Sequence, residues 1–176
     1  MNQILLETPR LVLRRIEQDD YLLLQSIFCD SEVMKYLGDV WTPDQVHETL
    51  DEWHDQWGKA YYFYGVLQKK DTLEAVGIAG CSLDTIQDEP GLEISWFVLP
   101  RYQGNGYAQE ITSALVSLAF GEFEVSRVLA ETHPQNVAAN KVLEITGFVC
   151  LGERNHQYDF LPAFTNQSLW EKKKDF

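Results

Sequence analysis

The spacing of apolar residues changes several times along the chain, and each change marks an element. Leu11, Val12 and Leu13 followed by Arg14 and Arg15 read as a strand, after which Asp19 or Asp20 can cap a helix that buries Leu24, Ile27 and Phe28. A second helix is better marked. Thr42, Pro43 and Gln45 combine a capping box with proline at the first helical position, and Val46, Leu50, Trp53 and Trp57 form one apolar stripe. From residue 61 the pattern becomes β-rich over 61–68, 74–83 and 92–99, with turns at 70–72 and 87–91, which predicts an antiparallel meander. After Pro100 a glycine-rich turn opens a helix carrying Ile111, Leu115, Leu118 and Ala119 on one face, and a strand follows over 127–132. A crossover helix between two strands makes them parallel. Asn136 or a neighbour starts a shorter helix, with Ala138, Ala139, Val142 and Leu143 facing inward and Gly147 as its stop. A strand from Phe148 and a closing strand around 168–170 complete the pattern, an α/β arrangement.

No linker, repeat or low-complexity stretch divides the 176 residues, so one domain over 1–176 is expected. A hydrophobic fraction of 45% and an aromatic fraction of 12% suit a packed interior. The formal net charge of −13 repels nucleic acid and leaves room only for a local phosphate site built from backbone donors. Cys29, Cys81 and Cys150 lie far apart, and His47 and His54 are two helical turns apart, so no metal site is expected. The N-terminus lacks an apolar signal core and no apolar run approaches the roughly 18 residues of a membrane span, so a cytoplasmic protein with no membrane partner is expected.

The candidate chemistry lies at 101–110, RYQGNGYAQE. Glycines at 104 and 106 permit positive φ and close approach of a ligand to the backbone. The helix that follows leaves its first amides unpaired, and those amides with the helix dipole bind a diphosphate without net positive charge. Two better-known phosphate loops fail here. No Lys-Ser or Lys-Thr pair follows the glycines, and the position three after Gly106 is Gln109 rather than glycine.

Arg101 to Gly106 resembles the R/Q-x-x-G-x-G/A signature of the GNAT acetyltransferases, and Gly106-Tyr107-Ala108-Gln109-Glu110 resembles the G-Y-A-x-E form of their ribosomal-protein N-terminal acetyltransferase branch. Three distant segments agree in order and spacing. They are Glu7 to Arg14, Leu92-Glu93-Ile94-Ser95-Trp96, and Asn136 through Gly147-Phe148. The resemblance implies the GNAT fold, a mixed central sheet with a splayed parallel strand pair flanked by helices. It implies acetyl-CoA as acyl donor, an amine acceptor such as a protein N-terminus or a small molecule, and a homodimer as the expected assembly.

Carried over residue by residue, Phe97, Val98 and Leu99 would hold the pantetheine arm, Gln103, Gly104, Asn105, Gly106, Tyr107 and Ala108 the phosphates, and Asn136 the opposite lip. Direct transfer needs a neutral amine, a polarised thioester carbonyl and a proton for the leaving thiolate. Glu93 is the candidate base, and a backbone amide near Val98 the polarising group. The family's usual acids are replaced by Ala139 and Leu143. That leaves water, Asn136, His133 or Tyr158 as donor, and Tyr36, Trp41, Tyr62 and Trp96 as candidate acceptor walls. Two other readings keep the same fold: a CoA-binding sensor with little transferase activity, and an enzyme using a longer acyl-CoA such as succinyl-CoA.

Overall fold

The computed structural model describes residues 3–57, 59, 61–86, 89–154 and 167–174. Eight strands form one mixed sheet in the order β1-β2-β3-β4-β5-β6-β8-β7. β1 (Ile4–Glu7) and β2 (Leu11–Arg15) make a hairpin; each opens on three apolar residues, but only β2 buries any of them fully. β3 (Phe63–Lys69), β4 (Ala75–Ile86) and β5 (Glu89–Val98) continue antiparallel, as the alternation predicts. Pairing between β4 and β5 extends past the expected strand ends, reaching Ile86 and Glu89.

The helices before β3 follow their caps. Asp20 closes a 3-10 turn over Gln18–Asp20 through a capping box with Glu17, and α1 (Tyr21–Phe28) then buries Leu24, Ile27 and Phe28. A one-turn helix α2 (Ser31–Met34) is capped by the Asp30 carboxylate, which accepts from the Glu32 and Val33 amides. α3 (Pro43–Gln56) begins on the expected box, Thr42 and Gln45 each bonding the other's backbone, and buries Val46, Leu50 and Trp53.

After β5 the chain crosses through α4 (Tyr107–Gly121) to β6 (Arg127–Thr132), which lies parallel to β5. α5 (Val137–Ile145) follows, then β7 (Val149–Arg154) and β8 (Gln167–Lys173), with β8 inserted between β6 and β7. α5 ends on Gly147 at φ 84°, with Phe148 N–H reaching back to Leu143 O and Gly147 N–H to Glu144 O, a Schellman closure. Of the four α5 residues expected inward, Leu143 alone is fully buried, and Ala138 is exposed. A nine-residue helix packed beside α4 buries a narrower stripe than its composition suggests.

Two apolar layers cover the sheet. On one face α4 lays Ile111, Leu115, Val116 and Ala119 against Phe63, Cys81, Leu92, Ile94, Val128 and Ala130. On the other, α1 and α3 cover Val66, Ile78 and Phe97 with Leu24, Ile27, Phe28, Leu50 and Trp53. Each fully buried aliphatic side chain contributes about 1.5–3 kcal/mol, so the two layers together hold the sheet against the entropy of the chain.

Candidate active site

β5 and β6 are paired at only two positions, Leu92 with Val128 and Glu93 with Leu129. Beyond Glu93, β5 continues to Val98 paired only with β4, and β6 continues to Thr132 paired only with β8. The two parallel strands therefore part after Glu93, which stands at the apex of the opening. One side of β5 from Ser95 to Val98 pairs with no strand among the described residues, an edge that suits an extended ligand.

The glycine-rich turn lies at the far end of that edge. Pro100–Tyr102 form a 3-10 turn, Gly104 and Gly106 take φ of 76° and 79°, and Gly106 is the N-cap of α4. No side chain caps this helix. Its first intrahelical bond is Glu110 N–H to Gly106 O at 3.0 Å, so the amides of Tyr107, Ala108 and Gln109 have no partner within the helix. A Cβ at Gly104 would meet no described atom within 4 Å, so this glycine serves its dihedral and leaves open space above the turn. Asn105 turns its amide inward, Nδ2 donating to Tyr102 O (3.0 Å) and Gln103 O (3.2 Å). Gln103 Nε2 donates to Val98 O at 3.0 Å. These are the features a diphosphate and a pantetheine arm require: outward amides at a helix end, and a strand edge leading to them.

Other expected donor-side residues are placed differently. Leu99 N–H donates to Val76 O at 2.9 Å and its side chain is buried under α1 and α3, so Leu99 closes the sheet rather than lining the opening. Phe97 packs edge-on against Phe28 on the same face. Asn136 is the N-cap of α5, Oδ1 accepting from Ala139 N–H at 3.2 Å, which leaves only its NH₂ for a ligand. Asn140, one turn on, accepts from the Thr132 hydroxyl and donates to Pro134 O, fixing the loop after β6.

Glu93 faces the α1 and α3 side of the sheet, in register with Ser82 on β4. In the next row Tyr64, Gly80 and Ser95 stand side by side across β3, β4 and β5. A Cβ on Gly80 would come within 2.6 Å of Tyr64 Cδ1, so glycine there lets the phenol lie across β4. Its hydroxyl lies 3.5 Å from Ser95 Oγ, and its ring stacks on Trp53 at 4.3 Å. Burial, and then the negative charge of Glu93, push the Tyr64 phenol well above its usual range, so it stays a neutral donor. Tyr62 donates to Glu52 at 3.1 Å, and burial together with that carboxylate pushes it up to about 12. His133 follows β6 directly. Its ring stacks on Tyr36 at 5.5 Å, and its Nδ1 accepts from Gln135 N–H at 3.2 Å, which assigns the proton of the neutral ring to Nε2.

Of the four expected aromatic walls, Tyr62 joins the Glu93 side and Tyr36 the His133 corner. Trp41 stacks on Phe28 in the core, and Trp96 packs on the opposite face with α4. Tyr158 lies outside the described residues. Cys81 is buried on the α4 face, where desolvation raises its thiol far above the usual range and leaves it inert. Sequence reasoning missed Tyr64, Ser82 and Ser95. Strand alternation alone puts Ser95 on the Glu93 face, but nothing local announces that Tyr64 reaches it.

Comparison with known proteins agrees with this geometry. Residues 10–149 match the family described as an acetyltransferase (GNAT) domain. The uncharacterized N-acetyltransferase YjdG of Bacillus subtilis is 31% identical, over 88% of this chain and 95% of that protein. The ribosomal-protein-S5-alanine acetyltransferase of Vibrio fischeri superposes with a TM-score of 0.76 at 20% identity, covering 96% of each chain. The spermidine N-acetyltransferase of Vibrio cholerae, solved with CoA and spermine, gives 0.75 at 16% identity over 93% of this chain and 95% of that one. With the family matched across most of its length and the parted strand pair in place, the chain belongs to the GNAT family of acetyltransferases.

Proposed function

We propose that the protein moves an acetyl group from acetyl-CoA to a primary amine, with Glu93 drawing the proton from the amine through water. The observation that carries this reading is the position of Glu93 at the apex of the β5 and β6 opening, on the strand whose free edge leads to the glycine turn. In this reading a β5 amide near Val98 polarises the thioester carbonyl, and the turn 103–108 holds the diphosphate. Ala139 offers no proton and Leu143 is fully buried, so the leaving thiolate takes its proton from water, with the Asn136 NH₂ and His133 Nε2–H placed to stabilise it by hydrogen bonds. A CoA thiol has a pKa of roughly 8.5, so a weak donor suffices.

The names of two structural neighbours support either a protein alanine or a small cationic amine as acceptor. The net charge of −13 supports a cationic one. The free thiols Cys29, Cys81 and Cys150 support a reducing, cytoplasmic setting. Release of CoA thiol from acetyl-CoA over a panel of peptide N-termini and polyamines tests the proposal. Amine-dependent release bears it out. Tight CoA binding with no transfer to any amine supports the sensor reading instead, and binding of a longer acyl-CoA in preference would move the donor assignment.

A further inference from the structure

The β1–β2 turn and the start of α4, a hundred residues apart, meet around one carboxylate. Glu110 Oε1 accepts from the Thr8 hydroxyl (2.5 Å) and the Arg10 backbone N–H (2.9 Å), and Oε2 accepts from Arg10 Nε (2.6 Å). The same guanidinium continues onto the glycine turn. Nη1 donates to Asn105 O at 3.0 Å, the group lies 4.8 Å from the centre of the Tyr107 ring, and a Cβ on Gly106 would stand 3.5 Å from Nη2. Arg10 thus bonds Asn105 and lies over Tyr107, with Gly106 between them, at the point where the amides of α4 face outward.

An exposed ion pair ordinarily adds little to stability. Half of the Arg10 side chain is exposed, so this pair matters through what it orients. A carboxylate in the first turn of α4 favours the helix dipole but repels any anion brought to that helix end. Pairing with Arg10 neutralises that carboxylate and sets the guanidinium donors beside the turn in a chain of net charge −13. Burial pushes the Glu110 carboxyl up, yet the bonds from Thr8 and Arg10 outweigh it and hold the group below its usual range, ionised at neutral pH.

We propose that Arg10 and Glu110 are a positioning pair that fixes residues 105–107 and prepares the helix end for the donor's diphosphate. The inference rests on the reading of this turn as the donor's phosphate site. Its test compares dissociation constants for CoA, by calorimetry, and for pantetheine, which lacks the nucleotide and diphosphate, by NMR titration. The proteins are the unmodified chain, Arg10→Gln, Arg10→Lys and the isosteric Glu110→Gln. The preference for CoA over pantetheine falls about tenfold in Arg10→Gln and in Glu110→Gln, because a charge-assisted contact is lost in each. Arg10→Lys does not restore it, since an ammonium cannot hold Glu110 and Asn105 in one planar fork. General damage to the fold weakens both ligands alike and leaves the preference unchanged. An unchanged preference in both charge-removing variants overturns the pair, as does full restoration by Arg10→Lys. If the unmodified chain shows no preference for CoA, the reading of the turn itself falls, and the pair's role falls with it.

Discussion

The sides of the β5 and β6 opening proposed for donor and acceptor are built from different materials. The donor side is backbone: a strand edge, two glycines at positive φ and the bare amides of α4. The side proposed for the acceptor carries side chains from separate elements, Glu52 on α3, Tyr64 on β3, Ser82 on β4, and Glu93 and Ser95 on β5, with Tyr62 just before β3 and His133 just after β6. Backbone recognition tolerates most side-chain changes but not loss of a glycine dihedral. Side-chain recognition behaves in the opposite way, so one fold can keep its donor while changing its acceptor.

The widest separation between the two sides should come from Glu93→Gln. It keeps the shape of the side chain and removes the base, so turnover falls about a hundredfold while CoA affinity stays at the starting value, measured by steady-state kinetics beside CoA titration. Comparable losses in both would erase the distinction. Gly106→Val acts from the other side. A β-branched residue at φ 79° carries about 1–3 kcal/mol of strain, so CoA affinity falls about tenfold or more with helix content by circular dichroism unchanged.

Tyr64→Phe probes the acceptor side more gently. The ring keeps its stack on Trp53 and loses the hydroxyl beside Ser95, so turnover falls about fivefold, the equivalent of one ordinary hydrogen bond. An unaltered rate would make Tyr64 a packing residue only. The smallest effect concerns stability. Glu110 has a lowered folded pKa, so its contribution is complete above the ordinary glutamate value and is lost as pH falls through the lowered one. Glu110→Gln therefore melts a few degrees lower near neutrality, about 2–4 °C for a chain of this size, and the gap to the unmodified protein narrows as pH falls below the ordinary glutamate value in thermal unfolding.

The same contrast explains what the sequence discloses. The antiparallel meander, the parallel β5–β6 pair and the caps at Thr42 and Asn136 are local patterns, and the glycine turn is a local requirement on φ. Each is written in neighbouring residues and can be read there. β1 carries too few buried positions to declare itself, and α2 is a single turn. Tyr64 reaches Ser95 only because Gly80 lies flat between them, a three-strand coincidence invisible along the chain. Arg10 and Glu110 each sit in a segment that resembles the family, yet their pairing spans a hundred residues and appears only once the hairpin lies beside α4.

The central claim is that the donor is held by backbone amides along β5 and at the start of α4. Titration of ¹⁵N-labelled protein with CoA, followed amide by amide, tests it most directly. The amides of residues 95–98 and 104–109 should shift, with those of Tyr62 and Tyr64 nearly still. Shifts confined to other segments, or none at saturating CoA, would contradict it.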